Sequence, residues 1–343
     1  AWVARLNELD DPLGEQALEW LRAHQLPDGS WGASEPRYDH DRLICTLAAM
    51  IALARRKEAR DRVRLRRAQL ALETATKGLK ANPAGETVGF EMLVPTLLAE
   101  AKAQGIAYQE DGLLRRLARQ RAAKLVALPE KMINRFVTVA FSAEMVGPDG
   151  RHLLDVENLQ ETNGSVGHSP SATAYFALYV RQDPAALRYL REVTANDEGG
   201  APDVAPFDVF EQAWTLWNLA LTGPLDNETL ALCQPHLDFL ETAWEPGRGI
   251  GFAAGYTPND GDDTSLVYEV LTHFSRLADL EGILRYEEDD HFRCYALEVN
   301  PSISANIHAL GALRQAGLGV QHPSVQKVLR FLRRRQTLRL FWF

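Results

Sequence analysis

Apolar residues recur at three- and four-residue intervals along much of this chain. The pattern runs over Glu15 to Ala23, Asp41 to Arg55, Phe90 to Gln104, Thr173 to Tyr179, Asp208 to Leu221, Thr264 to Leu277 and Ser304 to Gln315. Such spacing lays one apolar stripe along a helix and predicts helices that bury it. Alternating, strand-like runs are few, so the pattern predicts an all-α fold.

The connections carry a second pattern. Gln25-Leu26-Pro27-Asp28-Gly29-Ser30-Trp31-Gly32 returns in looser form as Gln160-Glu161-Thr162-Asn163-Gly164-Ser165-Val166-Gly167. In each, Gly supplies a left-handed turn, Asp or Asn bonds its own backbone, and Gln ties to neighbouring chain. A repeated helix–tight turn–helix unit predicts helices arranged as concentric barrels. Trp31 reads as a packing anchor of its loop.

At 343 residues, 46% of them hydrophobic and 24% charged, the chain is long enough for a large core and has ordinary globular composition. A net charge of −9 without a basic stripe argues against a nucleic-acid partner. Cys45, Cys233 and Cys294 are widely separated and form no CxxC pair, which fits a reducing cytoplasm. No apolar run is long enough to span a bilayer, and none reads as a signal sequence. The chain opens at Ala1-Trp2-Val3-Ala4 and stops at the aromatic cluster Arg339-Leu340-Phe341-Trp342-Phe343, which reads as part of a longer protein.

Asp260-Gly261-Asp262-Asp263, followed by Thr264-Ser265-Leu266-Val267, places three carboxylates in four residues at a predicted helix start. Like charges this close do not all ionise cheaply, so at least one carboxyl is expected to keep its proton at neutral pH. Such a group can protonate a base as weak as a carbon–carbon double bond. Helix capping is the competing reading, since Asp and Thr satisfy free N–H groups and suit the dipole.

The order of motifs decides between these readings, because together they resemble those of class II terpene cyclases of the copalyl diphosphate synthase type. Ala1 to Ala4 resembles that family's AWVA segment, and Gln25 to Gly32 its QLPDGSWG loop. Val88-Gly89-Phe90-Glu91 with Pro95 resembles its GFE…P helix, and Ser169 to Ala174 an SPSSTA run. Gly199-Gly200-Ala201-Pro202-Asp203-Val204 resembles a GGVPNV loop; Pro206, Asp208, Phe210, Glu211 and Trp214 follow before the acid motif.

The resemblance implies two α-barrel domains, β and γ, with the active site between them. It places γ at residues 13–229 and β at 1–12 and 230–343, with the remainder of β missing. Glu287-Glu288-Asp289-Asp290-His291-Phe292-Arg293 does not fit the DDxxD site of the family's optional third domain, because Arg293 stands at the last Asp, and it reads as a solvated turn.

By the resemblance Asp262 is the general acid, and Asp260 and Asp263 orient its proton. Asn306, within Ser304-Ala305-Asn306-Ile307-His308, falls where the family has an Asn bonded to the acid, against a mid-helix Asn bonding its own turn. Glu91 is expected to help hold the substrate diphosphate through Mg²⁺, which takes hard oxygen ligands, with Lys124 beside it. Trp214, Phe252 and Tyr256 are expected to face the carbocation, as rings do through their π faces; the competing role is core packing. Phe141 stands in place of a His and Asp203 in place of an Asn that together hold the terminating water in plant-like members. Gln212 replaces a further His. Asp203 is therefore the candidate base.

The implied activity is Mg²⁺-dependent bicyclisation of an isoprenoid diphosphate in the cytoplasm. Geranylgeranyl diphosphate would give a copalyl-type diphosphate, such as ent-copalyl diphosphate, in a bacterial enzyme. The alternatives are a drimenyl diphosphate synthase using farnesyl diphosphate, a non-catalytic α-barrel scaffold, and a glycosidase with paired carboxylates. A homodimer is compatible with all of these.

Overall fold

The structure, a computed structural model, describes residues 1–81, 89–108, 112–195, 199–296, 298 and 300–336. Val88 of the GFE motif and the terminal cluster 339–343 lie outside them. Among the described residues the chain is helical, with only isolated bridges such as Glu287 with Phe292. None of the described helices is long and apolar enough to cross a membrane.

The chain divides into two compact units, residues 1–135 with 139–205, and residues 136–138 with 206–343. This division does not follow the expected boundaries after residues 12 and 229. The 3₁₀ segment Val3–Leu9 packs on helices of the first unit, and residues 206–229 belong to the second.

The first unit contains α1 (Pro12–Ala23), α2 (Asp39–Arg56), α3 (Arg62–Ala81), α4 (Phe90–Ala103), α5 (Gly112–Ala127), α6 (Pro170–Tyr179) and α7 (Pro184–Thr194). Three of these start alike, with a cap oxygen followed by proline at the first helical position. Asp11 accepts from Leu13 N, Ser169 from Ala172 N and Asp183 from Ala185 N. The caps satisfy free amides, and the proline loses nothing because its missing N–H has no partner there. Leu47, Ile51, Phe90, Leu97, Leu117 and Phe176 are buried in its core.

The two related loops share one geometry. Gln25 Nε2 donates to Gly29 O at 2.9 Å and to Arg64 O at 3.0 Å, and Gln160 Nε2 donates to Gly164 O at 3.0 Å. Asp28 and Asn163 each accept from the serine amide two residues on, at 3.0 Å. Gly29 and Gly164 have φ of 89° and 88°, and a Cβ would meet the backbone oxygen of Arg67 in α3 at 2.7 Å and of Ala185 in α7 at 2.6 Å. Only glycine fits such a loop. Trp31 is buried and donates to Leu21 O at 2.8 Å, as a packing anchor should.

The second unit contains α8 (Asp208–Leu221), α9 (Asn227–Ala243), α10 (Gly261–His273), α11 (Glu281–Leu284), α12 (Ile303–Gln315) and α13 (Pro323–Arg335). Here α10 packs against α8, α9, α11 and α12. Leu266, Val267, Leu271, Ala309 and Leu313 are buried in the core around it. The acidic run 287–293 is a turn with Asp289 and Asp290 exposed, and Lys327 bonds Glu287 at 2.8 Å.

Candidate active site

The acid motif forms the first turn of α10. Thr264 fixes that turn to the preceding loop, accepting from Ile250 N at 3.0 Å and donating to Ile250 O at 2.9 Å. Gly261 N donates to Cys294 O at 2.8 Å, and a Cβ on Gly261 would meet Arg293 O at 2.3 Å. The second motif position is glycine because the 292–295 segment passes too close for a side chain.

The three carboxyls have different surroundings. Asp260 caps the helix, its Oδ1 accepting from Asp262 N at 3.0 Å and Asp263 N at 2.8 Å. Burial, reinforced by Asp263, raises the Asp260 carboxyl well above its ordinary range. Burial and the charge of Asp262 push Asp263 up to about 7. The side chains of Asp260 and Asp263 hydrogen-bond each other. Two desolvated carboxyls in that relation hold one proton between them near neutrality. Burial also raises the Cys294 thiol and the Tyr295 phenol beside them, so both stay protonated. The Tyr295 hydroxyl lies 3.5 Å from Asp260 Oδ2 and serves as a donor.

Asp262 differs. Its side chain is 26% exposed, whereas Asp260 and Asp263 are 1% and 6% exposed as residues. Asp262 Oδ1 lies 2.6 Å from His308 Nδ1, and Ser304 Oγ donates to its Oδ2 at 3.4 Å. Ser304 and His308 are one helical turn apart on α12 and so share the face toward α10.

Asn306, expected beside the acid, serves elsewhere. It is fully buried; its Oδ1 accepts from Phe292 N, and its Nδ2 donates to Phe292 O and Ser302 O, each at 2.8 Å. The carboxamide is spent on holding the 292 segment to the start of α12. His308 is the group that bonds Asp262, a residue to which the sequence assigns no role.

An aromatic row leads away from His308. Trp214 meets its ring edge-on at 5.1 Å and Trp217 at 6.0 Å. Phe210 follows at 5.3 Å from Trp214, Phe207 at 4.4 Å from Phe210, and Phe252 at 5.4 Å from Phe207. Tyr256 ends the row at 4.2 Å from Phe252. Phe207, Phe210 and Trp217 were not anticipated, although with Trp214 they repeat every three or four residues at and along α8. The start of α8 also holds the Phe252 loop, since Asp208 Oδ1 accepts from Ala254 N at 2.9 Å and Phe210 N donates to Phe252 O at 3.0 Å. Gln212 accepts from His236 at 2.8 Å.

The remaining expected residues lie in the first unit. Glu91, in the first turn of α4, forms an ion pair with Lys124, near the end of α5. Among the described residues, no three of His, Cys, Asp and Glu are grouped to hold a metal ion. A Mg²⁺ shared between diphosphate oxygens, water and one carboxylate needs no such cage, and Glu91 beside the Lys124 ammonium has that donor chemistry. Asp203 is exposed between α7 and α8, and Phe141 is partly exposed on the 3₁₀ segment Thr138–Val146.

No protein-family model matches the chain. It is 47% identical over 342 residues to a type B diterpene cyclase of Mycobacterium tuberculosis, covering 97% of this chain and 68% of that protein. A chloroplastic ent-copalyl diphosphate synthase of Pisum sativum is 30% identical, covering 89% of this chain and 38% of that protein. Among solved structures, ent-copalyl diphosphate synthase from Arabidopsis thaliana superposes with a TM-score of 0.82 at 26% identity, over 96% of this chain and 47% of that one. The enzyme of the same name from Streptomyces platensis gives 0.73 at 27% identity, over 99% and 70%. The chain thus spans about two thirds of its bacterial relatives and less than half of the plant ones. Its all-helical fold, its ordered motifs and a 47% identity over 97% of its length to a named diterpene cyclase make this chain a member of the class II diterpene cyclases.

Proposed function

We propose that the protein containing this chain converts geranylgeranyl diphosphate to a copalyl-type diphosphate, with Asp262 as the acid. The observation that carries this reading is that Asp262 is the one motif carboxyl with appreciable open surface, backed by His308 and next to a row of rings. The Arabidopsis relative was crystallised with an aza analogue of geranylgeranyl thiolodiphosphate, which supports a substrate of that class.

In this reading the Asp262 O–H bond breaks and its proton adds to the terminal alkene, leaving a tertiary cation. Successive alkenes attack to close two rings, and loss of one proton from carbon restores neutrality while the diphosphate stays attached. His308 Nδ1–H donates to Asp262 and stabilises the carboxylate as its proton departs. Asp260 and Asp263 share a proton behind it, so the site does not carry three full negative charges. The rings from Trp214 to Tyr256 offer π faces to the cation and exclude water that would quench it. Glu91 and Lys124 would hold the diphosphate with Mg²⁺, which neutralises its charge when bound. Asp203 is the base we assign to the last step, Phe141 having removed the imidazole that would hold a water.

Purified full-length protein with Mg²⁺ and geranylgeranyl diphosphate, followed by phosphatase and gas chromatography, tests the reading. A bicyclic C20 alcohol is expected. Turnover of farnesyl diphosphate alone would reassign the substrate, and no product from either would remove the activity.

A further inference from the structure

A cavity of about 440 Å³ opens in the first unit, among the ends of α2, α4 and α6 and the 147–151 turn. Neither Glu91 nor Lys124 lines it. One wall is aromatic: Trp2 meets Tyr175 edge-on at 5.6 Å and Tyr179 at 6.2 Å. The rest is rich in guanidinium groups, from Arg55, Arg121 and Arg151.

The charges in and behind this wall are not balanced. Arg5 is 1% exposed, stacks on Trp2 at 3.8 Å and bonds Glu100 Oε1 at 3.0 Å. Arg55 uses that same oxygen at 2.7 Å and also bonds Glu8 at 2.6 Å. Arg121 is matched by Asp149. Arg151 bonds the Tyr175 hydroxyl, and no carboxylate among the described residues pairs with it. Among the described residues, four cations therefore face three carboxylates. Arg5 Nε, Arg5 Nη2 and Arg55 Nε are buried without a hydrogen-bond partner, which is costly for charged donors.

We propose that this cavity binds a small organic carboxylate with a flat apolar body, its anionic head toward Arg151 and Arg55 and its body against Trp2, Tyr175 and Tyr179. The volume is within the range of small-ligand sites. One negative charge restores the local balance, and a planar carboxylate matches the guanidinium fork. Burial already drags the Arg5 guanidinium below its ordinary value, against the pull of Glu100, so further negative charge nearby is favourable.

Titration calorimetry of the full-length protein with 2-naphthoate, 2-naphthyl phosphate and 2-naphthalenemethanol tests this. The carboxylate should bind at least about tenfold more tightly than the alcohol, and Arg151→Gln should weaken it about five- to tenfold. Glu100→Gln, which removes a competing internal anion, should tighten it severalfold; a purely structural role for Glu100 would not. Lys124→Ala should leave it unchanged. The proposal fails if the carboxylate does not bind below about 10 mM, if the alcohol binds equally well, or if Arg151→Gln has no effect. A strong preference for the phosphate overturns the carboxylate assignment, and dependence on Lys124 overturns the separation from the diphosphate residues.

Discussion

His308 should govern the strength of the acid, and its replacement separates an electrostatic role from a packing one. The Nδ1–Oδ1 distance of 2.6 Å is that of a strong, charge-assisted bond. A hydrogen bond to a charged group contributes about 1.5–3 kcal/mol, against about 0.5–1.5 for a neutral pair. The bond gains most as Asp262 becomes a carboxylate, so its loss falls on the transition state. His308→Gln, whose amide still donates to the carboxylate, should lose less in kcat/KM than His308→Ala. His308→Ala loses the difference between the charged and the neutral bond, about 1–1.5 kcal/mol or roughly tenfold in kcat/KM.

Asn306→Ala supplies the contrast. It removes three bonds of 2.8 Å from a fully buried group and leaves Phe292 partly unsatisfied. We expect about 3 kcal/mol of lost stability from that deletion, read as a lower Tm. Geranylgeranyl diphosphate turnover and thermal unfolding would be measured on all three variants. If both His308 variants fold and stay within about threefold of wild type, or if Asn306→Ala alone gives a selective loss of rate, the assignment of His308 is wrong.

Asp262→Asn should lower cyclisation by about two to four orders of magnitude while prenyl diphosphate binding, measured by calorimetry, survives. Glu91→Ala should raise KM and shift the Mg²⁺ titration, and an unchanged titration would count against its role. Asp203→Ala should divert some product to hydroxylated or alternative alkenes; a single unchanged product on gas chromatography removes Asp203 as base. Glu144 is pushed up to about 7 by burial, so the folded state holds its proton more tightly than the unfolded chain, and stability should fall as pH rises from about 4.5 to about 7. Glu144→Gln should flatten that part of the urea-stability profile by on the order of 3 kcal/mol, and a wild-type slope in the variant would refute the shift.

The helices legible in the sequence are those with a broad apolar face. Asp208 to Leu221 agrees at both ends with α8, but apolar spacing puts several starts three residues late, at Glu15, Thr173 and Thr264. In each case the first turn is built from caps, proline, small or acidic residues, and apolar spacing is blind to it. Apolar spacing puts the end of α10 at Leu277, whereas the helix stops at His273 and Ser275 takes a φ of 59°. Leu277, which prolonged the apolar spacing, is 82% exposed. Apolar spacing does not mark α3, α5, α7, α9, α11 or α13. Arg62, Arg64, Arg66 and Arg67 in α3, and Arg115, Arg116 and Arg119 in α5, dilute the apolar signal of helices that bury a narrow stripe.

At the acid motif, the capping reading describes Asp260, and the acid role is proposed for a different residue. Asp260 is a helix cap in the ordinary sense, accepting two amide bonds, and it keeps Asp262 and Asp263 in place by doing so. The proposed acid is the neighbour it positions, not the cap. Family order pointed to Asn306 as its partner, but helix geometry argues otherwise: two residues along α12 turn a side chain about 200° from Ser304, whereas four residues bring it back to the same face. Once Ser304 faces Asp262, His308 must face it too, and Asn306 must point away. That inference needed one contact between α10 and α12, a pairing of segments some forty residues apart that apolar periodicity does not encode. Phe207, Phe210, Trp214 and Trp217 were legible by the same geometry without any such contact, because their spacing alone puts four rings on one side of α8.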